Sequence, residues 1–320
     1  MTRPVAGISL DLDNEWSYLK THGDPAWEAM PSYLERVVPR ILSFLQERSL
    51  QATIFVVGQD ADMPQHRDVL ALLGSSGLEV GNHSYRHEPW LHLYSEAEVT
   101  DEIARAHDSI GAATGRSTRG FRGPGFSLSK ATVRVLASRG YEYDASTLPT
   151  FIGPLARAYY FRSAQLEASE RKARAHLFGS LAEGLRPNRP YRWGVPGGLL
   201  EVPVTTMPAF RVPIHVSYLL YLEHFSPRLA RTYFKTALRM CRLAGVQPSL
   251  LLHPLDFTSG DEVGSLAFFP GMGLPTEVKL RLVSDVLQTL AERYDPVSLG
   301  DYVQAVEQDK KVRVVEPSLP

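Results

Sequence analysis

Short apolar runs alternate with longer segments of helical periodicity along most of the chain. Eight runs are predicted as strands, at 5–12, 51–57, 78–80, 120–122, 141–146, 201–205, 249–253 and 296–299. Between them, apolar residues recur every three or four positions, which predicts helices at about 33–45, 95–110, 129–139, 226–243 and 275–294. Ser95 and Glu98 form a capping box at the start of the second of these helices. Strands separated by such helices predict βαβ units, a parallel sheet and, with seven or eight units, a barrel.

Composition limits the function classes more than the fold. The chain has 320 residues, and its net charge of −1 leaves no basic surface for nucleic acid. One cysteine, Cys241, excludes an internal disulfide framework. The longest apolar stretch, 212–222, is about half the length of a bilayer-spanning helix, and the N-terminus lacks a signal-peptide pattern. We therefore expect a cytoplasmic protein without a membrane span.

Carboxylates and imidazoles follow the predicted strands where a metal site would be expected. Asp11 and Asp13 lie at the end of the first strand, and His83 and His87 follow the third. A catalytic zinc site needs three protein ligands and an open position, which Asp13, His83 and His87 would provide. Residues two apart on a strand point to the same side, so Asp11 would reach the same site and take a proton from the attacking water.

Two further polar residues follow later strands. Arg122 would pair with the unligated carboxylate, and Gly123-Pro124-Gly125 after it would allow a close backbone approach and leave an N–H free for an oxyanion. His253 follows a run of three leucines, so it would lie at the carboxyl edge of the sheet, where it can protonate a leaving nitrogen. The pattern predicts a metal-dependent hydrolase.

In their order and spacing these residues resemble the polysaccharide deacetylase family, also called the NodB-homology domain or carbohydrate esterase family 4. The resemblance covers roughly residues 5–300. The matching segments are Ser9-Leu-Asp11-Leu-Asp13, His83-Ser-Tyr-Arg-His87, Gly120-Phe-Arg122-Gly-Pro124-Gly-Phe-Ser, Gly140-Tyr-Glu-Tyr-Asp144-Ala-Ser146 and Leu251-Leu-His253-Pro254. The spaced aspartates are typical of a cytosolic branch of the family.

The resemblance implies an irregular parallel β/α barrel of about seven strands. It implies one catalytic domain over residues 1–306, with an insertion at about 148–199 and a C-terminal tail at 307–320. Asp13, His83 and His87 would bind a divalent metal, most commonly Zn²⁺. Asp11 would be the general base held by Arg122, His253 the general acid, and the N–H of Gly125 an oxyanion donor.

The chain departs from the family in the carboxylate that orients the acid histidine. In the family this carboxylate is an aspartate beside a tryptophan, a motif that has no clean match here. Glu201 or Asp256 would take the role of that aspartate. The branch includes hydrolases of small amides and cyclic imides, so the substrate is also open. We expect removal of an acetyl or formyl group from an N-acyl amino sugar, either small or lipid-linked. The alternatives are a cyclic-imide or ureide amidohydrolase on the same scaffold and a non-catalytic glycan-binding protein.

Apolar segments at 207–222 and 268–272 are interpreted in two ways. They either form a surface that meets a lipid-linked sugar at the inner face of the membrane, or they pack in the core and loops. The insertion at 148–199, rich in Arg, Tyr and Pro, either shapes substrate access or is an ordinary surface excursion. The sequence predicts no oligomeric state.

Overall fold

A computed structural model describes residues 3–155, 158, 181–308 and 312–319 of the chain. The middle of the predicted insertion, 156–157 and 159–180, lies outside the described residues. The strands are β1 Val5–Leu12, β2 Thr53–Val56, β3 Glu79–Asn82, β4 Gly120–Phe121, β5 Tyr143–Asp144, β6 Tyr191–Trp193, β7 Leu199–Glu201, β8 Ser249–Leu252, β9 Asp295–Val297 and β10 Arg313–Val315. The helices are α1 Glu15–His22, α2 Leu34–Gln46, α3 Gly58–Ala61, α4 Arg67–Ser75, α5 Glu96–Thr114, α6 Lys130–Ser138, α7 Val216–Phe225, α8 Pro227–Leu243, α9 Thr276–Ala291 and α10 Leu299–Glu307.

The strands form one curled, mostly parallel sheet. Its order is β10-β6-β7-β5-β4-β3-β2-β1-β8, and β9 pairs with the start of β1. Only the β6–β7 pair among the described strands is antiparallel. The predicted α/β class with a parallel β/α sheet is confirmed. In the described residues the order leaves β8 and β10 at opposite edges, so the sheet is a half-barrel rather than a closed ring.

The sheet has more strands than the predicted seven or so. Two of them, β6 in the predicted insertion and β10 in the predicted tail, have three residues each. Such short strands give no detectable alternation of polar and apolar positions, so the sequence did not indicate them. They pair in parallel, with Arg313 opposite Tyr191 and Val315 opposite Trp193. Residues near the C-terminus therefore extend the sheet.

Capping residues set several helix boundaries as predicted. Ser95 and Glu98 form the reciprocal capping box at the start of α5. Ser226 caps α8, which ends at Leu243. The expected end of α5 near residue 110 was wrong, because the helix continues to Thr114 and ends at Gly115, whose φ of 68° is left-handed.

The parallel arrangement explains why the polar residues meet. Most strands present their carboxyl ends at the same edge of the sheet. Leu10 of β1 lies opposite Leu252 of β8, and the next residues are Asp11 and His253. Asn82 of β3 lies opposite Phe121 of β4. The residues that follow them, His83 and Arg122, also carry polar side chains. Ligands of open α/β sheets bind at this edge.

Candidate active site

Asp13, His83 and His87 bring their ligand atoms together beyond the ends of β1 and β3. The Nε2 atoms of His83 and His87 lie 3.1 and 2.9 Å from the same Oδ1 of Asp13, and all three side chains are buried. His83 Nδ1 lies 2.7 Å from the carbonyl oxygen of Arg122, so we assign its proton to Nδ1. The Nε2 lone pair is then free to bind a metal, as in other metal-ligating histidines.

The donor set fits a divalent transition metal. One carboxylate oxygen and two imidazole nitrogens lie within 4.8 Å of one another. This is the set of protein ligands found in open catalytic zinc sites. Burial alone would raise the pKa of Asp13, but the charge of His87 and the close contacts with His83 and His87 hold that pKa well below its usual value. The Asp13 carboxylate thus stays ionised, which suits it to bind a metal cation.

A buried carboxylate holds the turn that carries the two histidines. Glu102 Oε2 accepts the main-chain N–H groups of Tyr85 and Arg86 at 3.0 and 2.9 Å. Within this turn Ser84 and His87 have φ angles of 61° and 51°, which are uncommon for residues other than glycine. The sequence did not single out Glu102. Its signal was a charged residue on the apolar face of α5, between Val99 and Ala106.

Arg122 holds Asp11 in a fixed orientation. Its Nη1 donates to Asp11 Oδ1 at 2.7 Å and to Ser9 Oγ at 2.9 Å, and its Nε donates to the carbonyl oxygen of Ala145 at 2.9 Å. The guanidinium has 0% exposure and lies 4.5 Å from the Phe55 ring centroid. The other Asp11 oxygen, Oδ2, lies 4.0 Å from His83 Nε2. Asp11 therefore keeps one oxygen towards the metal ligands.

His253 is supported by Asp256 through a serine. His253 Nδ1 lies 3.0 Å from Ser217 Oγ, which donates to Asp256 Oδ1 at 2.8 Å. The other Asp256 oxygen accepts the His253 main-chain N–H at 2.8 Å. His215, whose ring centroid is 6.2 Å from that of His253, stays neutral because burial and the charge of His253 lower its pKa to about 3. His215 is therefore unsuited to act as the acid at neutral pH.

Glu201 lies elsewhere and has other partners. It accepts hydrogen bonds from the N–H and hydroxyl of Thr147 at 3.0 and 2.6 Å and from Trp193 Nε1 at 3.0 Å. Burial and the neighbouring charge of Asp144 raise the pKa of Glu201 well above its usual value, so it holds a proton. Of the two carboxylates considered for His253, only Asp256 is hydrogen-bonded to it.

The Asp144 segment braces the loop after β4. Ser146 Oγ donates to Asp144 Oδ1 and accepts the Gly123 N–H at 2.8 Å. Gly125 in this loop is exposed and has a φ of 57°. A Cβ atom at position 125 would lie 3.1 Å from Pro89 Cβ. The loop is thus fixed at both ends while the main chain of Gly125 remains accessible.

A second buried cluster, which we did not predict from the sequence, lies behind the metal ligands. Asp60 Oδ1 accepts Asn14 Nδ2 at 2.7 Å and Trp16 Nε1 at 2.8 Å. The Trp16 ring meets that of His87 edge-on, with centroids 6.4 Å apart. Asp60 thereby orients the ring that limits movement of His87. Asp60 lies in α3, four residues after β2 ends at Val56. A single polar residue soon after a buried strand is too common to be recognised as part of a site from sequence alone.

Comparison with known proteins agrees with this geometry. Residues 26–143 match the sequence profile of the polysaccharide deacetylases, and this range contains His83, His87, Arg122 and Gly125. Over these residues the chain is similar to the polysaccharide deacetylases. A stretch of 107 residues is 25% identical to the uncharacterised protein YlxY of Bacillus subtilis (strain 168). That stretch is 33% of this chain and spans 31% of the relative.

A solved structure shows the same fold at low sequence identity. A candidate polysaccharide deacetylase from Mycobacterium smegmatis superposes with a TM-score of 0.63 at 18% identity, covering 100% of this chain and 94% of that one. A family 4 carbohydrate esterase from Streptomyces lividans, solved with acetate, gives a TM-score of 0.45 at 16% identity over 93% of each chain. In the part of the chain that the structure describes, no helix is long and apolar enough to cross a membrane.

Proposed function

We propose that this protein is a metal-dependent hydrolase that removes an acetyl or formyl group from an N-acyl amino sugar or glycoconjugate precursor. The observation that carries the proposal is the convergence of the three metal ligands, the Asp11–Arg122 pair and the His253–Ser217–Asp256 relay at one sheet edge. The match of residues 26–143 to the polysaccharide deacetylase profile supports a deacetylase acting on a carbohydrate.

Asp13, His83 and His87 would hold the metal, for which we propose zinc. Such an ion supplies a Lewis acid that polarises the acyl carbonyl and lowers the pKa of water. The protein keeps the ligand atoms in place through the Arg122 carbonyl on His83 and through Glu102 beneath the turn. The three ligands that this chemistry needs are therefore already held close together.

The remaining groups move protons in a fixed order. Asp11 accepts a proton from the attacking water through Oδ2, while Arg122 holds Oδ1. The water oxygen bonds to the acyl carbon, and the Gly125 N–H donates to the oxygen that becomes negative. His253 then gives the proton on Nε2 to the nitrogen as the C–N bond breaks, so the products are a carboxylate and a free amine.

An apolar surface beside His253 supports a lipid-linked sugar as substrate. Helix α7 carries Ser217 at the site and Tyr221 and Phe225 one and two turns further along. Tyr221 is 45% and Phe225 64% exposed, and their rings contact each other with centroids 5.1 Å apart. Phe210, on the loop before α7, is also 64% exposed. We propose that these rings receive the apolar part of the substrate at the membrane face.

The test is acyl release by purified, zinc-loaded protein. N-acetyl and N-formyl amino sugars, free and attached to a nucleotide or a lipid, are offered together with cyclic imides and ureides. Acetate or formate should appear with the wild type and not with Asp11→Asn, which keeps the size of the side chain but loses the base. Ring opening without acyl release would favour the imide or ureide alternative. Neither reaction, with metal bound, would refute the hydrolase and leave a glycan-binding protein.

A further inference from the structure

Lys279, on α9, is a buried lysine to which the proposed mechanism gives no role. It has 1% exposure, and no other lysine among the described residues is buried. Lysine is almost never fully buried unless its charge is compensated, because removing an ammonium group from water is costly. The contacts of this ammonium group therefore indicate what it supports.

The ammonium group binds the turn at 254–258, which follows His253 and carries Asp256. Nζ donates to the carbonyl oxygens of Leu255 at 2.8 Å and Thr258 at 2.7 Å, so it bonds the main chain on both sides of Asp256. Its third contact is with Met272 Sδ at 3.2 Å. An ammonium group has three N–H donors, so all of them are used. Lys279 thus fixes this turn from a separate helix.

The position of the turn decides whether Asp256 can support His253. Asp256 is buried and bonds two groups at once, Ser217 Oγ and the His253 main-chain N–H, each at 2.8 Å. Hydrogen bonds weaken steeply when their geometry is distorted. A shift of the turn would lengthen the bond from Ser217, and the His253 ring would then lose its link to the carboxylate.

Lys279 also supplies positive charge to this buried carboxylate. Burial raises the pKa of Asp256, while the charges of His253 and Lys279 oppose the rise. Burial lowers the pKa of Lys279 to about 8, against the charges of Asp256 and Glu262, so the ammonium group is mostly protonated at pH 7. The turn therefore lies against a cation that favours the ionised form of Asp256.

A cation bound to a carbonyl oxygen of this turn does not by itself indicate a role in catalysis. Arg40 Nη1 donates to the Phe257 carbonyl at 2.7 Å, but the Arg40 side chain is 27% exposed and pairs with Glu262 at 2.6 Å. Lys279 differs because it is buried and bonds the main chain on either side of Asp256.

We propose that Lys279 is a positioning residue for acid catalysis, which holds the turn so that Asp256 can orient His253 through Ser217. Lys279 is too deeply buried to reach the substrate, so it acts only through these residues. This role rests on the proposed function, since it requires His253 to protonate the leaving nitrogen.

The test compares Lys279→Met with Arg40→Met, because each variant loses a cation that binds a carbonyl oxygen of the turn. Lys279→Met should lower kcat about 10- to 100-fold, since members of one hydrogen-bond network are coupled by about this much. KM should change little. Arg40→Met should leave kcat close to that of the wild type. Both variants should melt below the wild type, because each leaves a carbonyl oxygen without its donor, and both should bind metal as the wild type does.

A double-mutant cycle with Ser217→Ala shows whether Lys279 acts through the relay. Ser217→Ala breaks the link between Asp256 and the His253 ring. In that background Lys279→Met should lower kcat much less than it does in the wild type, because the link that it supports is already lost. Lys279→Gln, which keeps two N–H donors but no charge, enters the same cycle if Lys279→Met does not fold.

The outcomes separate this role from the proposed function. An inactive wild type overturns the hydrolase and the role of Lys279 together. With an active wild type, full kcat in Lys279→Met, a change confined to KM, or an equal loss of kcat in both backgrounds overturns the role of Lys279 alone. Loss of metal in Lys279→Met, or an equal loss of kcat in Arg40→Met, would also overturn it, because the lysine would then be a general support of the fold.

Discussion

Ser217 links the acid histidine to its carboxylate, and removing its hydroxyl should weaken acid catalysis. In Ser217→Ala the 3.0 Å contact with His253 Nδ1 and the 2.8 Å bond to Asp256 Oδ1 are both lost. Asp256 would still accept the His253 main-chain N–H, so the turn should keep its position. The variant should therefore lose the contacts that orient the His253 ring and stabilise its charge, while the His253 main chain stays in place.

The size of the effect follows from the kind of hydrogen bond. A bond to a charged group contributes about 1.5–3 kcal/mol. If His253 acts as a cation when the amine leaves, losing that bond raises the barrier by the same amount, which is roughly 10- to 150-fold in kcat. Ser217→Thr retains a hydroxyl and should recover most of the rate. Metal content should be the same in all three proteins.

The assay is acyl release as a function of pH, with kcat and kcat/KM measured separately. Ser217→Ala should lower the rate of acyl release on the basic side of the pH profile, where His253 must keep its proton. Ser217→Thr should follow the wild type there. Glu201→Gln should leave this side of the profile unchanged, because Glu201 bonds Thr147 and Trp193 instead. Full activity in Ser217→Ala, or equal losses in the Ala and Thr variants, would refute the relay.

Three other substitutions test the supports of the site. Glu102→Ala leaves two main-chain N–H groups of the histidine turn without an acceptor, so chemical denaturation should show a loss of about 2–6 kcal/mol, and an unchanged unfolding free energy would contradict this. Gly125→Ala should lower kcat, since its Cβ would lie 3.1 Å from Pro89, whereas Gly140→Ala has a similar positive φ and open space around it and should affect stability only. Burial would raise the pKa of Glu262, but hydrogen bonds from Arg40, Thr258 and Thr276 outweigh burial and lower that pKa to about 2. Its stabilisation is therefore present above about pH 4.5 and lost as the pH falls towards 2, so the stability gap between wild type and Glu262→Gln should narrow over that range.

The sequence predicted which polar side chains lie near one another, because parallel strands bring their carboxyl ends together. Any polar residue directly after a buried strand then lies at one edge, which placed Asp11, Asp13, His83, Arg122 and His253 correctly relative to one another. The pairing of Arg122 with Asp11 also agrees with the structure. Periodicity indicated the long helices for the same reason, since one face of each is buried over several turns.

What the sequence did not predict depends on contacts between distant elements. Ser217 supports His253 from a helix 36 residues earlier, and Glu102 reaches the histidine turn from α5. Neither has a local signal beyond a polar residue on a helix. Glu201 was a reasonable choice for supporting His253, because it follows two buried leucines on a strand. The sheet order places β7 six positions from β8, the strand before His253, and the Glu201 side chain turns to Thr147 and Trp193.

Metal content tests the central claim most directly. The wild type and His107→Ala, a histidine outside the site, should each bind about one divalent ion per chain after zinc is supplied, while Asp13→Ala and His83→Ala should bind none. Circular dichroism would confirm that all four proteins are folded. A wild type that binds no ion, or Asp13→Ala and His83→Ala variants that bind as much as the wild type, would contradict the metal-dependent hydrolase.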